Sequence, residues 1–320
     1  MSGPTPAGRF VPAGAQADAA VIVVTYNSRN ELPALLDSLR AEAARHRLRV
    51  IVADNASGDD TLAVARTHPD VMCLPTGGNL GYAGGINVAV AHAGDARALL
   101  ILNPDLRVRP GAVAALLRTA AEHAAAGVIA PRIVDDAGRT AMSISHEPSV
   151  FRAACDAVLG PLWRGRPAAF SEWDRRRATY VRRHTVEGVS GAALMIPRAV
   201  ADRVGAWDER FFLYSEETDY CRRVRDAGFE VWFDPSAVVE HSQGKSGSSP
   251  QLDALLSVNR VRYMRKHDPH AAALYRAVAI LGAFLRSARS PSQRASLRAL
   301  RDERRWARLP RAVPGGAARR

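Results

Sequence analysis

The chain has 320 residues, is 47% hydrophobic and carries a formal charge of +12, enough for one large or two modest domains with a substantial core. No apolar run reaches the roughly 18 residues of a spanning helix, and the Gly-, Pro- and Ala-rich start from Met1 to Ala17 lacks a signal-peptide centre, so neither segment is expected. Three widely spaced cysteines, Cys73, Cys155 and Cys221, exclude a disulfide framework or a cysteine zinc cluster and fit a reducing compartment.

The elements alternate. Val21–Val24 reads as a strand, Thr25-Tyr26-Asn27-Ser28 as a polar turn, and Leu32, Leu35, Leu36 and Leu39 as the apolar face of a helix. Arg49–Ala53 is a second strand ending at Asp54-Asn55, with capping groups from Ser57 to Thr61 before a helix through Leu62, Val64 and Ala65. A third strand over 71–74 leads into the glycine-rich run 77–87 and a helix from about Ala83 to Ala93, and a fourth, Ala98–Leu102, closes on Asn103-Pro104-Asp105. Gly111–Ala124 is helical, whereas 128–180 is irregular, with an apolar patch over 158–163 read as a loop over the site. Order returns with a strand over 189–196, helices over 197–204 and 216–227, a strand over 229–233, and Val238–His241 approaching a Gly/Ser-rich loop. Strands alternating with helices predict an α/β, mostly parallel sheet covered on both faces, with ligands at the carboxyl ends of the strands.

Two acidic runs carry the chemistry. Asp105 follows a proline at the end of a buried strand, where a rigidly presented carboxylate can share a divalent cation with diphosphate oxygens. His241 offers an imidazole that would favour Mn²⁺. The second run, Glu216-Glu217-Thr218-Asp219, opens a helix after the apolar-aromatic Phe211–Tyr214; burial there would raise a carboxylate toward a general base, while the helix dipole is the plainer account of the same residues. The glycines of 77–87 miss the dinucleotide spacing, but would let backbone approach a nucleotide, with Asn79 and Asn87 placed for a ribose. Asp54 can accept from the imide of uracil or thymine, or cap the following helix.

In order, Val23-Val24-Thr25-Tyr26-Asn27, Ala53-Asp54-Asn55-Ala56-Ser57, Asn79-Leu80-Gly81-Tyr82, Asn103-Pro104-Asp105 and Gly205–Phe212 running into Glu216–Asp219 resemble the inverting GT-A glycosyltransferases of family 2, and within them bacterial rhamnosyltransferases. The resemblance covers about Ala20 to Ser246. It implies a GT-A fold with a Rossmann-like sheet, a helical basic C-terminal extension, and a nucleotide pocket from Thr25, Tyr26, Asn27, Asp54, Asn55, Asn79, Gly81, Asn87, Asn103 and Asp105. It also implies Mg²⁺ or Mn²⁺ at Asp105 and His241, with Asn103 where the first acid of the usual metal motif stands. Glu217 falls at the base position, in a Glu-Glu pair where the family usually has Glu-Asp, and Asp219 is the fallback base. The implied reaction moves L-rhamnose from dTDP-L-rhamnose to a lipid-linked or polysaccharide acceptor in cell-envelope synthesis. The alternatives are a UDP-hexose donor serving an exopolysaccharide or natural product, and a non-catalytic nucleotide-binding scaffold.

The charge is confined to one end. Residues 260–320 hold 16 Lys and Arg against 3 Asp and Glu, a net +13, and the remainder is near neutral. With few interleaved aromatics this does not read as nucleic-acid binding; an apolar stretch over 271–286 flanked by arginines predicts association with an anionic membrane surface, at the cytoplasmic face of the plasma membrane. The expected organisation is therefore a disordered segment over 1–18, a glycosyltransferase domain over 19–259 with its donor half ending near 125 and an acceptor half over 126–259, and a membrane-associating tail over 260–320.

Overall fold

The computed structural model describes residues 8–159, 167–241, 249–288 and 290–313. In chain order the elements are β1 (Ala19–Thr25), α1 (Leu32–Ala43), β2 (Leu48–Asp54), α2 (Thr61–Arg66), β3 (Val71–Pro75), α3 (Gly81–Val90), β4 (Ala98–Leu102), β5 (Leu106–Val108), α4 (Ala112–Glu122), β6 (Ala126–Val134), β7 (Ile144–Ser145) and α5 (Val150–Val158). There follow β8 (His184–Val186), β9 (Gly188–Val189), β10 (Ala193–Pro197), α6 (Arg198–Val204), α7 (Glu216–Asp226), β11 (Glu230–His241), α8 (Pro250–His267), α9 (Pro269–Ser287) and α10 (Pro291–Arg301).

A mixed, mostly parallel sheet runs β3-β2-β1-β4-β10-β6-β11-β5, with β8 added to β11. Every residue of β1 and β2 is buried, as expected of parallel strands covered on both faces. Alternation sorts them: Ala19, Val21 and Val23 pack with Leu32, Leu35 and Leu36 of α1 on one face, while Ala20, Ile22 and Val24 pack with Ala83 and Ile86 of α3 on the other. Polar turns leave β1, β2, β3 and β4 at one edge of the sheet, where an open α/β sheet binds ligands.

Several expectations are corrected. Within the supposedly disordered start, Phe10 is buried under the Arg40 guanidinium, 4.5 Å from its ring centre. The Val11 amide donates to Leu48 O at 2.8 Å, and fully buried Arg49 donates to the carbonyls of Pro12, Ala15 and Ala93. The irregular stretch contains β6, nine residues long and paired with both β10 and β11, followed by α5; the patch over 160–163 lies outside the described residues. The strand expected over 189–196 is two strands, β9 and β10, separated by a turn, and the segments 229–233 and 238–241 are one twelve-residue strand, β11, with a register shift between Asp234 and Val238. The boundary expected at 259/260 falls inside α8, an eighteen-residue helix that packs with α9 and α10 around Val258, Val261, Tyr275 and Leu300. Among the described residues no helix is long and apolar enough to cross a membrane.

Candidate active site

A cleft of about 630 Å³ opens at the carboxyl edge of the sheet, and both acidic runs reach it. Its lining includes Tyr26 and Asn27 after β1, Asn103, Pro104 and Asp105 after β4, the Ser190–Ala192 turn, Tyr214, Glu216 and Glu217 at the start of α7, and His241 at the end of β11.

Asp105 and His241 meet because β5 and β11 pair antiparallel with His241 opposite Leu106. Nε2 of His241 lies 2.9 Å from Oδ2 of Asp105, and this hydrogen bond holds the imidazole above its ordinary 6.5 against the opposing effect of burial. The other oxygen, Asp105 Oδ1, is buried without a hydrogen-bond partner. A buried carboxylate oxygen left open beside an imidazole fits a divalent cation, whose remaining positions diphosphate oxygens and water can fill. No group of three or more His, Cys, Asp or Glu that would form a protein-only cage occurs among the described residues.

The acidic start of α7 is the other wall. Glu216 and Glu217 each leave Oε2 buried and unpartnered. Desolvation pushes Glu217 above its ordinary 4.5, opposed in part by backbone hydrogen bonding and the charge of Arg260; desolvation and then the neighbouring Glu217 push Glu216 well above it. The two neighbouring carboxylates titrate as a coupled pair, the charge of one raising the other. The Tyr82 phenol, which donates to Gly191 O at 3.0 Å, is raised first by its own burial and then by Glu216, Glu217 and Asp105, three carboxylates from the two runs converging on one ring. Asp219 is elsewhere. Fully buried, it accepts from Arg223 at 2.9 Å and from Lys266 and His267 of α8 at 2.5 and 2.7 Å. Burial would raise its carboxyl, but the His267, Lys266 and Arg223 interactions overcome that and hold it below the ordinary 3.8. It does not line the cleft.

The turn before α7 is held against its preference. Phe212, Tyr214 and Ser215 all adopt positive φ, 62°, 70° and 70°, conformations that together cost several kcal/mol unless the surroundings impose them. Two contacts do so. The Asn259 side-chain amide of α8 donates to Phe211 O, Leu213 O and Tyr214 O at 2.7 to 2.9 Å, and the Tyr82 amide donates to Phe212 O at 2.6 Å. Gly81, at φ 76°, is needed beneath this turn: a Cβ there would lie 2.2 Å from Phe212 O.

The residues expected around the nucleotide divide accordingly. Tyr26, Asn27, Asn103 and Asp105 line the cleft. Behind them, buried Asp54 accepts from Thr25 Oγ1 at 2.9 Å, Ser57 Oγ at 2.5 Å and Ser57 N at 3.0 Å; Asn27, at φ 54°, accepts from Gly58 N at 2.7 Å and so fixes the same loop. Asn55 braces β2 to α3 by donating to Gly81 O at 2.8 Å, and Asn79 caps the same turn by accepting from Gly81 N at 3.0 Å. Asn87 turns away: it donates to Trp207 O and Glu209 Oε1 and accepts from Trp207 N, and so bonds α3 to the 207–209 loop instead of a ribose. Tyr82, Tyr214, Asn259 and Arg260 are site residues that the motif reading did not assign. For Asn259 the available signal is an amide flanked by Val258 and Val261 on an otherwise arginine-rich helical stretch.

Comparison with known proteins gives the family and the fold. The glycosyl transferase family 2 model matches residues 20–204. The chain is 34% identical over 262 residues, 78% of its length and 84% of the relative's, to the N-acetylglucosaminyl-diphospho-decaprenol L-rhamnosyltransferase of Mycobacterium tuberculosis. It is 28% identical over 67% of its length, and 64% of the relative's, to the low-salt glycan biosynthesis hexosyltransferase Agl10 of Haloferax volcanii. In fold it is similar to the mannosyltransferase PcManGT from Pyrobaculum calidifontis, in complex with GDP-Man and Mn²⁺, with a TM-score of 0.54 and 18% identity over 98% of this chain and 81% of that one. It is also similar to GalNAc-T7 with UDP, GalNAc and Mn²⁺, with a TM-score of 0.54 and 15% identity over 78% of this chain and 48% of that one. The sheet, its flanking helices and these neighbours make the fold GT-A. With a family match over more than half its length and a relative one-third identical across most of it, the chain belongs to glycosyl transferase family 2 and is a glycosyltransferase.

Proposed function

We propose that this enzyme transfers L-rhamnose from dTDP-L-rhamnose to the N-acetylglucosamine of a polyprenyl-diphosphate-linked acceptor, inverting the anomeric centre, in cell-envelope glycan synthesis at the inner face of the plasma membrane. The observation that carries the group-transfer chemistry is that Glu217 and Asp105, each with a buried, unpartnered carboxylate oxygen, line one cleft. The mycobacterial relative supports the choice of sugar and acceptor.

Glu217 takes the proton from the acceptor hydroxyl as that oxygen bonds to the anomeric carbon, and the bond to the departing nucleoside diphosphate breaks on the opposite side. Its raised affinity for a proton makes it a stronger base than a solvated glutamate. Tyr82 and Asn259 position it by holding the turn ahead of α7. Asp105 and His241 would hold Mg²⁺ or Mn²⁺, which when bound would offset the charge of the leaving diphosphate. The Asp54 loop, fixed by Thr25 and Ser57, supports the base end of the nucleotide pocket.

A donor panel tests this reading. Transfer to a short-chain polyprenyl-diphosphate-GlcNAc, with Mg²⁺ or Mn²⁺ supplied, is expected from dTDP-L-rhamnose and not from UDP-glucose or UDP-galactose, and the same donor should stabilise the folded protein against heat. Faster transfer from a UDP-hexose would replace the donor, and no transfer from any donor would leave a binding scaffold. Asp105→Asn is expected to abolish the cation's effect on donor affinity, measured by titration calorimetry.

A further inference from the structure

Helix α9 is covered on one side only. Ala272, Tyr275, Gly282 and Ala283 face the domain. The opposite side is apolar along its length: Leu274, Ala277, Leu281, Phe284 and Leu285 are exposed, Leu274 by 58% and Phe284 by 61%, and at about 100° per residue they fall on one stripe. Helix α5 packs beside it, with Gly282 so close to Ala157 that a Cβ would approach to 3.0 Å, and adds exposed Phe151 and Val158. Large apolar side chains gathered on two packed helices mark an interaction surface, unlike the scattered exposed leucine of an ordinary surface.

We propose that the exposed face of α5 and α9 docks on a lipid bilayer containing anionic lipid. Charge selects this occupant. Helix α10 runs alongside α9, tied to it by Arg286 to Gln293 at 3.3 Å and by Arg276 to Leu300 O at 2.7 Å, and exposes Arg294, Arg298 and Arg301. The acids of α5 and of the region after α8 already have partners: Glu303 pairs with Arg265 and Arg276, Asp302 with Arg305, Asp268 accepts from the Ala271 amide at the start of α9, and Asp156 of α5 accepts from the Glu172 amide at 3.1 Å. A second copy seated two-fold on the same stripe would bring like-charged arginine sets together, whereas anionic headgroups neutralise them. Nineteen residues give α9 about 28 Å of length, and apolarity on one side only suits a helix lying in the interface.

The covered side of α9 connects this face to the cleft. Tyr275 donates to Glu172 at 2.7 Å, Glu172 pairs with Arg260 at 3.1 Å, and the Arg260 charge acts on Glu217. A bilayer held by α9 therefore stands in a fixed relation to the base, as an acceptor whose lipid tail remains in the membrane requires. Docking deepens the lipid-linked reading but is measured without donor or acceptor, so either can fail alone.

The test is co-sedimentation of the full chain with phosphatidylcholine vesicles, with and without about one-third phosphatidylglycerol. The parent is expected to bind the anionic vesicles, and L281E/F284E to bind them at least about tenfold more weakly, with an unchanged melting temperature and unchanged transfer to a water-soluble short-chain acceptor. L274E/L285E, on the same stripe, should repeat the loss. Equal binding by parent and variants, or no binding by the parent, overturns the proposal. So does a parent dimer that the same substitutions dissociate, which would assign the stripe to a second copy.

Discussion

Helix α7 carries two carboxylates two residues apart, and its two sides treat them oppositely. Toward the cleft, Glu217 has a buried oxygen without a partner and binds its proton more tightly than a solvated glutamate; toward α8, Asp219 is enclosed by Lys266, His267 and Arg223 and binds its proton more weakly than a solvated aspartate. Identity and sequence position do not separate them. What separates them is which distant element arrives: α8 delivers Lys266 and His267 to one side, while the other side borders the cleft. A carboxylate held by Arg223, Lys266 and His267 is a structural fastener, and one with an oxygen left unpartnered is available for proton transfer.

The sharpest way to break this contrast is Glu217→Gln. Turnover is expected to fall on the order of 10³-fold, with a melting temperature equal to or above the parent's because a buried ionisable group is removed; near-normal turnover would move the base elsewhere. Asp219→Asn should do the reverse, lowering stability by about 3 kcal/mol by leaving buried cations uncompensated while the folded fraction still turns over, as denaturant melts paired with active-site titration would reveal. Asn259→Ala comes next. Losing three carbonyl contacts from a strained turn should cost about 2 kcal/mol and lower kcat more than it raises KM, since the turn positions Glu217.

The smallest effect is in pH. Glu217 titrates above its ordinary 4.5, so turnover should fall as pH drops through that raised value, where the base becomes protonated. The same protonation should stabilise the fold, because the folded state binds the proton more tightly than the unfolded chain does. Asp219, held below 3.8, contributes stability that is complete above that value and lost only as pH falls through the lowered one. Activity and stability should therefore diverge on mild acidification, in the pH profile of kcat set against thermal melts; parallel decline would count against the two-sided picture.

How much of this was legible beforehand follows the range of the interactions. β1 to β4 and their helices declare themselves in local pattern, because Val21–Val24 or Ala98–Leu102 needs only its own neighbours to read as a buried strand. β6 does not: Pro131 and Arg132 interrupt it, and it is a strand because β11 and β10 flank it. In the site, Asp105, His241 and Glu217 were placed by motif order and do line the cleft. The bonds of Asn87 are not legible in local pattern, because its partners, Trp207 and Glu209, lie 120 and 122 residues further on. Asp54 stands at the strand end and accepts from the Ser57 amide, so it fastens the turn and does not cap α2, whose N-cap residue is Asp60. The tail is legible as basic residues around an apolar stretch, and neither pattern reveals that Tyr263 and Tyr275 are buried against the domain.

The latch formed by Asn259 has a consequence for anyone recombining such enzymes. The family match ends at residue 204, a natural-looking seam for a graft, with the Asp54 and Asp105 turns on one side. Glu217 and the amide that shapes its approach both lie beyond it. A chimera joined there would inherit its nucleotide pocket from one parent and its proton acceptor from the other, and would align the two only if residues 81 and 82 of the first parent suit the turn at 212 of the second. The heritable module is therefore the triad of Gly81-Tyr82, the Phe212–Ser215 turn and Asn259, three patches far apart in sequence that must be exchanged together.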